Sequence, residues 1–374
     1  TTPCDPRVVQ EMLPYFDRLF GNPSSSLHKA GQVAARAVDE ARAQVAFLIG
    51  AKPGEIVFTS GATESNNLAI AGVAKAASDK RRRIVTTALE HKSVLMLGQF
   101  LARQRFDVVV LPVDREGRVS MASAREAIND DTLLVSVQAA SNEVGTIQCL
   151  AEIAQLARER GALMHTDAAQ AVGKVPVDVG EWDVDLLSIS SHKTYGPKGV
   201  GALYVRGGPY KQPIAPLVYG GGQEWELRSG TLNVSGIVGF GKACILCTEL
   251  QEEEGYRVAE LRDRLEQGLL AAIPTLRRNG AVDSRLPNNS SLTFAGVDAE
   301  ALIANLPGLA LSTGSACTSG APEPSHVLGA CGMSRADAYS TIRIGLGRFT
   351  TSEEVEHGIT LIAEAYQRVS HLVA

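Results

Sequence analysis

Short apolar runs alternate with longer amphipathic stretches between residues 55 and 206. The runs EIVFTS, RIVTTA, DVVVLPV, TLLVSVQ, ALMHTDA, DLLSISS and GALYVR are rich in β-branched residues, which favour strands. Stretches between them, such as NNLAIAGVAKAA and LAEIAQLARERG, have the apolar spacing of amphipathic helices. This alternation predicts an α/β domain with a mostly parallel sheet.

A second, smaller domain is predicted for the C-terminal part of the chain. A long helical stretch that includes GYRVAELRDRLEQGLLAAI leads to the strand-like SSLTFAG and to further helices, which is an α+β pattern. We expect residues 10–248 to form the large domain, and residues 1–9 together with 249–374 to form the small one.

The composition is that of a globular protein. Hydrophobic residues make up 45% of the 374 positions, and no apolar run approaches the ~20 residues of a membrane-spanning helix. The first residues, TTPCDPRVVQ, lack the layout of a signal peptide, so we expect a cytoplasmic protein with no membrane partner. A net charge of −5 gives no reason to expect direct binding to nucleic acid.

The six cysteines are too thinly spread for a disulfide framework. Cys244 and Cys247 form a C-x-x-C in a stretch that suits a buried helix, and because no second pair completes a zinc site we expect no metal. Cys317 lies in LSTGSACTSG, which offers it nothing apolar to pack against and suggests a mobile loop. Such a thiol is either a tolerated surface residue or a nucleophile.

Polar residues follow the predicted strands at their carboxyl ends, where open α/β sheets bind ligands. In TSGATESNN, the backbone amides of Ala62 and Thr63 lie at a predicted helix N-terminus, which can bind a phosphate. An ordinary N-cap by Ser60 or Thr63 is the alternative interpretation of this segment.

Three further strands also end in polar residues. His91 follows one strand, Asn142 follows another, and Asp167 and Gln170 follow a third. A single histidine is usually a satisfied core or surface residue, and Asp167 alone could cap a helix. Three such strand ends in succession indicate a ligand site.

A lysine follows the buried-looking strand in SISSHKTYGPKGVGALYV. A charged Lys193 could not lie in the core without a heavy desolvation cost, so it either faces solvent or has its charge altered chemically. Formation of a Schiff base would alter the charge of the lysine in this way. A lysine that forms one, an acid that keeps a pyridine nitrogen protonated, and a helix N-terminus for a phosphate are the parts that pyridoxal 5'-phosphate requires.

Eight segments resemble, in order and spacing, the group I cysteine desulfurases, the NifS/IscS type of fold-type-I pyridoxal phosphate enzymes. These segments are SGATESNN, EHKSV, SNEVGT, HTDAAQAVGK, SSHKTYGPKGVGALYVR, GGGQEWELRSGT, STGSACTS and STIRIGLGRFT. The resemblance covers nearly the whole chain. It implies an aspartate aminotransferase-like fold, with a large domain that binds pyridoxal 5'-phosphate and a small domain that carries a catalytic cysteine.

The resemblance also implies a role for each matching residue around the cofactor ring. Lys193 is expected to form the Schiff base and to move the proton on the α carbon of the substrate. His91 is expected to stack on the ring and act as an acid or base. Asp167 is expected to pair with the pyridine nitrogen, and Gln170 to hydrogen-bond the phenolic oxygen.

The remaining matches concern the phosphate, the substrate and the sulfur. The expected phosphate-binding and cofactor-binding residues near Lys193 are Ala62, Thr63, Ser190, Ser191 and His192. Thr231 matches a residue that reaches the phosphate from the neighbouring subunit, which implies a homodimer.

Asn142, also expected near the cofactor, and Arg343 match the clamp on the α-carboxylate of the substrate, where a guanidinium suits two oxygens. With L-cysteine as substrate, Cys317 is expected to take the sulfur as a persulfide, release alanine and pass the sulfur to an acceptor protein.

Two other hypotheses on the activity are a selenocysteine lyase-like enzyme and a non-enzymatic scaffold that kept the fold. As for the pathway, the chain resembles desulfurases that supply sulfur for DNA phosphorothioation in bacteria, and iron–sulfur cluster assembly is the alternative. Relative to the family, the sequence begins inside the N-terminal motif and stops at SHLVA, before the tail that docks an iron–sulfur scaffold.

Overall fold

The computed structural model describes residues 1–78, 80–313 and 324–373, so Cys317 lies outside the described residues. The chain divides into two compact units. The first comprises Thr1–Leu111, Met121–Ala139 and Cys149–Gln251, and the second comprises Pro112–Ser120, Ala140–Gln148 and Glu252–Ala374.

This division differs from the predicted one at both ends of the first unit and in two short segments. Residues 1–9 lie in the first unit because their backbone is bonded there, for example from Thr2 N to the carbonyl of His192 at 2.9 Å. Residues 112–120 and 140–148 belong to the second unit, where Ile147 N donates to the carbonyl of Ser284 at 3.0 Å. Such long-range backbone bonds leave no pattern in the sequence.

A seven-stranded sheet forms the centre of the first unit. Its strands are β1 (Ile56–Thr59), β2 (Arg83–Thr87), β3 (Asp107–Leu111), β4 (Thr132–Ser136), β5 (Leu163–Asp167), β6 (Leu186–Ser190) and β7 (Gly201–Val205). The order is β1-β7-β6-β5-β4-β2-β3, and every strand but β7 runs in the same direction. The predicted mostly parallel sheet is confirmed, and each strand falls within its predicted apolar run.

The helices of the first unit follow the predicted amphipathic stretches. They are α1 (Pro6–Met12), α2 (Pro14–Asp17), α3 (Lys29–Leu48), α4 (Ala62–Ala76), α5 (Lys92–Arg103), α6 (Met121–Ala127), α7 (Leu150–Glu159) and the first part of α8 (Val234–Ala272). Leu68 and Val73 of α4 and Leu97 and Leu101 of α5 lie in one buried cluster with strand residues such as Leu134. Burial of this apolar surface holds both helices on the sheet.

The second unit contains a four-stranded sheet in the order β10-β11-β9-β8. Its elements are the rest of α8, β8 (Leu276–Arg278), β9 (Asn289–Phe294), α9 (Ala299–Ala304), β10 (Ser312–Thr313), α10 (His326–Ala330), α11 (Arg335–Tyr339), β11 (Thr341–Gly345) and α12 (Ser352–Val373). Leu261, Leu265 and Leu269 follow one another at helical spacing on α8 and are buried against Phe294 of β9. The strands pair antiparallel, as the predicted α+β pattern allows.

Three expectations from the sequence can be compared with these elements. None of the helices in the described ranges is long and apolar enough to cross a membrane. Cys244 and Cys247 are buried in α8, as predicted. The described side chains contain no group of three or more His, Cys, Asp or Glu residues that could hold a metal ion.

A strained turn in the first unit is held by a buried ion pair. Glu224, Trp225 and Glu226 have φ values of 47°, 56° and 64°, a left-handed conformation that costs each L-residue roughly 1–2 kcal/mol. Arg42 donates to both carboxylate oxygens of Glu224, at 2.8 and 2.6 Å, and the backbone N–H of Phe58 donates to the same carboxylate at 2.6 Å. The pair therefore fixes the turn.

Replacing Glu224 with Ala should lower the free energy of unfolding by about 3–5 kcal/mol, because it leaves the Arg42 charge buried without its partner. Urea denaturation measures this loss. The control is Asp130→Ala, which removes the exposed ion pair with Arg160 and should cost less than about 1 kcal/mol. Equal losses in the two variants would contradict the assignment.

Candidate active site

The strand ends of the first unit meet at one edge of the sheet. Register pairs Thr59 at the end of β1 with Gly201, and Gly201 with Ser190 at the end of β6. In the next strand pair, Asp167 at the end of β5 lies opposite Ser188. The segments that follow β1, β5 and β6 therefore start side by side.

The N-terminus of α4 is open to an anion. Gly61 is the N-cap residue, with a φ of 143° that favours glycine, and none of the described side chains caps the helix. The alternative interpretation, an N-cap by Ser60 or Thr63, is therefore wrong. A Cβ at Gly61 would lie 3.6 Å from Oγ of Ser190, so this hydroxyl adjoins the helix end. With the amides of Ala62 and Thr63, it fits a phosphate.

An ion pair that the sequence analysis missed supports this helix end. Arg228 Nε donates to Oε1 of Glu64 at 2.7 Å, and the Ser60 amide donates to Oε2 of the same carboxylate at 2.8 Å. Burial raises the pKa of Glu64, but the hydrogen bonds from Arg228 and Ser60 outweigh it and lower the pKa below its usual value. Glu64 is therefore ionised at neutral pH and ties the 224–231 segment to α4.

Asp167 is a buried carboxylate held by two donors. Nδ2 of Asn66 donates to Oδ2 at 2.7 Å, and the backbone N–H of Ala169 donates to Oδ1 at 3.0 Å. Asp167 does not cap a helix, since no helix follows β5 directly. Its oxygens keep lone pairs for one more donor, such as a protonated pyridine nitrogen.

His91 is exposed and lies at the N-cap of α5. Its Nδ1 accepts the backbone N–H of Ser93 at 3.1 Å and lies 2.8 Å from Oγ of Ser93. The same Oγ accepts a hydrogen bond from Nδ2 of Asn66 at 2.9 Å. Because Asn66 also contacts Asp167, the structure joins two predicted site residues through two side chains that the sequence analysis did not single out.

Glu90 is a fully buried carboxyl group next to His91. Its Oε1 accepts from Oγ1 of Thr87 at 2.8 Å and from the backbone N–H of Gln138 at 2.9 Å. Burial is the main cause that raises the pKa of Glu90 to about 8, and the negative charge of Asp167 adds to it. Glu90 is therefore mostly protonated at neutral pH, although it was not among the predicted site residues.

Lys193 ends the short 3₁₀ turn that follows β6 and is half-buried. Among the described residues its ammonium group has no hydrogen-bond or ion-pair partner, which leaves it available for covalent chemistry. The side-chain amide of Gln170 has no described partner either. Burial, followed by the charge of Lys193, lowers the pKa of His192 to about 4, so His192 is neutral at neutral pH.

Ser191 differs from its neighbour Ser190. Its hydroxyl is buried without a hydrogen-bond partner among the described residues, and it would lie 2.0 Å from a Cβ at Gly196. Ser191 thus faces Gly196, whereas Ser190 adjoins the α4 N-terminus. The position of Ser190 beside the α4 N-terminus suits phosphate binding, and a direct role stays a prediction for both serines.

Thr231 follows the strained turn and is exposed. The backbone N–H of Gly230 donates to Oε1 of Gln223 at 2.8 Å, which closes the loop on itself. Thr231 therefore lies on a loop of defined shape, with its side chain facing away from the core.

The second unit brings Asn142 and Arg343 together. Nη1 of Arg343 donates to the backbone carbonyl of Asn142 at 2.8 Å. Register places Arg343 of β11 opposite Ser312 of β10. Residues 314–323, which follow β10 directly in the chain and include Cys317, are outside the described residues.

Comparison with known proteins identifies the family. The model of the aminotransferase class-V family matches residues 1–357. Cysteine desulfurase IscS of Anaeromyxobacter dehalogenans is 49% identical over 100% of this chain and 92% of its own length. The chain belongs to the aminotransferase class-V family. Within that family it is one of the IscS/NifS-like cysteine desulfurases.

Solved structures of this family agree with the fold. A NifS-like protein has a TM-score of 0.91 at 37% identity and covers 98% of this chain and 97% of its own. DndA from Streptomyces lividans has a TM-score of 0.80 at 39% identity and covers 93% of this chain and 98% of its own. The predicted fold-type-I architecture is confirmed.

Members of the aminotransferase class-V family use pyridoxal 5'-phosphate, and this is the cofactor of the protein. The side chains of the first unit fit it. An uncapped helix end suits the phosphate, the carboxylate of Asp167 suits a protonated pyridine nitrogen, and the unpartnered amine of Lys193 suits a Schiff base.

Replacing Glu90 with Gln should flatten the pH dependence of stability. The folded protein keeps the Glu90 proton up to about pH 8, whereas an unfolded chain loses it near the usual value of 4.5, so rising pH favours unfolding across this window. Between pH 5.5 and 7.5 this contributes about 2 kcal/mol. Urea denaturation at both pH values measures it.

The control for this comparison is Glu152→Gln, which alters an exposed carboxylate on α7 and should leave the pH dependence unchanged. A Glu90→Gln protein with the same pH dependence as the parent would show that Glu90 is ionised in the folded state.

Proposed function

We propose that the protein is a cysteine desulfurase that converts L-cysteine to L-alanine and moves the sulfur to Cys317. The observation that carries this proposal is the position of Lys193. Its half-buried, unpartnered amine follows β6 at the sheet edge where Asp167 and the α4 N-terminus also lie, in a chain 49% identical to an IscS.

The residues of the first unit hold the cofactor and handle protons. The amides of Ala62 and Thr63, with the hydroxyl of Ser190, bind the phosphate, and Asp167 keeps the pyridine nitrogen protonated. The bound cofactor supplies an electron sink for bonds at the α carbon of the substrate. Lys193 moves the α proton, and His91 acts as an acid or base in the reaction.

The residues of the second unit bind the substrate and receive the sulfur. The guanidinium of Arg343 pairs with the α-carboxylate, and Asn142 contributes to the same clamp. The thiolate of Cys317 attacks the sulfur of cysteine. A sulfur–sulfur bond forms, the carbon–sulfur bond breaks, and the electron pair left on carbon takes a proton, so that alanine and a Cys317 persulfide result.

Lys193→Ala and Cys317→Ser should each reduce alanine formation from L-cysteine about a hundredfold or more, because each removes a group that reacts directly. Lys193→Ala should also lose the visible absorbance of the covalently bound cofactor, which Cys317→Ser should keep. The control is Cys149→Ser, which replaces an exposed cysteine on the first unit and should keep parental turnover.

Full turnover in the Cys317→Ser protein would contradict the proposed sulfur transfer and would favour the selenocysteine lyase-like alternative. Full turnover in Lys193→Ala would contradict the assignment of the lysine.

We further propose a homodimer in which Thr231 contacts the phosphate in the neighbouring subunit. Thr231 is exposed, and the same segment exposes the large apolar surface of Tyr219, which is 67% exposed. Both features are those of a surface that a second copy would cover.

Mixing two defective variants tests this shared site. A heterodimer of Lys193→Ala and Thr231→Ala subunits contains one site with both residues intact only if Thr231 acts across the interface. Mixing should therefore restore cofactor absorbance and turnover above the level of either variant alone. No restoration, with heterodimers demonstrated by differently tagged subunits, would place Thr231 in its own subunit's site.

The acceptor of the sulfur is part of the proposal. The likeness to DndA at 39% identity supports a DNA phosphorothioation component, and the higher identity of 49% to IscS supports an iron–sulfur scaffold. The protein that receives the persulfide sulfur in a transfer assay identifies the pathway, and transfer to an iron–sulfur scaffold alone would count against the DNA role.

A further inference from the structure

Asn66 lies in the interior of the first unit, fully buried on the second turn of α4. Its Nδ2 donates one hydrogen to Oδ2 of Asp167 at 2.7 Å and the other to Oγ of Ser93 at 2.9 Å. Its Oδ1 has no hydrogen-bond partner among the described residues. All of its described side-chain bonds are therefore made by one NH₂ group.

The carboxylate fixes the orientation of this amide. An ionised Asp167 can only accept hydrogen bonds, so the atom 2.7 Å from its Oδ2 must be the nitrogen. A flipped Asn66 would place an amide oxygen against a carboxylate oxygen with no hydrogen between them. Ser93 must then accept the second hydrogen of the same nitrogen.

The Ser93 hydroxyl also contacts His91. Nδ1 of His91 lies 2.8 Å from Oγ of Ser93 and also receives the backbone N–H of Ser93 at 3.1 Å. A nitrogen that receives hydrogens must offer a lone pair, so Nδ1 is unprotonated. The neutral ring of His91 therefore carries its proton on Nε2.

We propose that Asn66 is a positioning residue that holds the carboxylate of Asp167 directly and the ring of His91 through the Ser93 hydroxyl. This inference rests on the proposed function only in that Asp167 faces the cofactor nitrogen and His91 the reaction. Asn66 is not proposed to touch the cofactor or the substrate. It acts on His91 through Ser93, and it acts directly on the carboxylate of Asp167.

The tautomer is measured by NMR on the full-length protein with ¹⁵N-labelled histidine, with the cofactor bound and after its removal. At about pH 8, where a typical histidine is neutral, His91 should show an unprotonated Nδ1 and a protonated Nε2. A His91→Gln variant assigns the signal. In Asn66→Ala the Ser93 hydroxyl loses the donor that holds it, so the His91 signals should shift, while the backbone N–H of Ser93 keeps Nδ1 unprotonated.

Ser93 provides the test of the route. In a Ser93→Ala background, adding Asn66→Ala should not change the His91 signals further, because the connecting hydroxyl is absent. Ser93→Thr keeps a hydroxyl and should keep the parental tautomer. Ser93 is only half-buried, so these variants stay informative if Asn66→Ala folds poorly.

Affinity for pyridoxal 5'-phosphate tests the hydrogen bond from Asn66 to Asp167. Titration of the cofactor-free protein should give a Kd that is about tenfold or more higher in Asn66→Ala, because Asp167 loses a hydrogen bond to its charged oxygen. This loss should persist in the Ser93→Ala background. The matched control is Asn67→Ala on the same turn. Within the described part of the chain, its amide donates only to the carbonyl of Thr63 at 2.8 Å, so its loss should change neither quantity.

A protonated Nδ1 in the parent would overturn the tautomer assignment, and His91 signals in Asn66→Ala equal to those of Asn67→Ala would overturn the link through Ser93. An unchanged Kd in Asn66→Ala would overturn the role toward Asp167. Both readouts are independent of substrate, so they separate a failure of this inference from a failure to desulfurate cysteine.

Discussion

The site depends on the shared direction of six strands in a seven-stranded sheet. Because β1, β5 and β6 run the same way, their carboxyl ends reach one edge, and the backbone must leave the sheet there. The departing segments supply the helix end after Gly61, the carboxylate of Asp167 and the amine of Lys193. The register of the strands thus brings an anion site, a carboxylate and an amine to the same edge of the sheet.

Two carboxyl groups near this edge differ in burial. Asp167 receives hydrogen bonds from Asn66 and from a backbone amide, and its oxygens keep lone pairs for a protonated pyridine nitrogen. Glu90 is fully buried, and its pKa is raised to about 8. Because Glu90 is neutral, it places no negative charge beside Asp167. The attraction between Asp167 and a protonated cofactor is therefore preserved.

The sequence was informative where a pattern repeats or where chemistry sits at a strand end. Period and composition predicted all seven strands of the large sheet, and strand-end polarity pointed to Asp167 and Lys193. Asn66 escaped notice because it lies inside a helical stretch, and its bond to Asp167 spans 101 positions. The exchange of residues 112–120 and 140–148 into the second unit also rests on pairings that no local propensity encodes.

The central claim is that sulfur from L-cysteine is carried on Cys317, and mass spectrometry of the protein after brief incubation with L-cysteine tests it most directly. The peptide that contains Cys317 should carry one added sulfur atom, which a thiol reductant removes and which is absent from Cys317→Ser. Sulfur found instead on the exposed Cys149 would contradict this claim, and so would formation of alanine with no added sulfur on any cysteine.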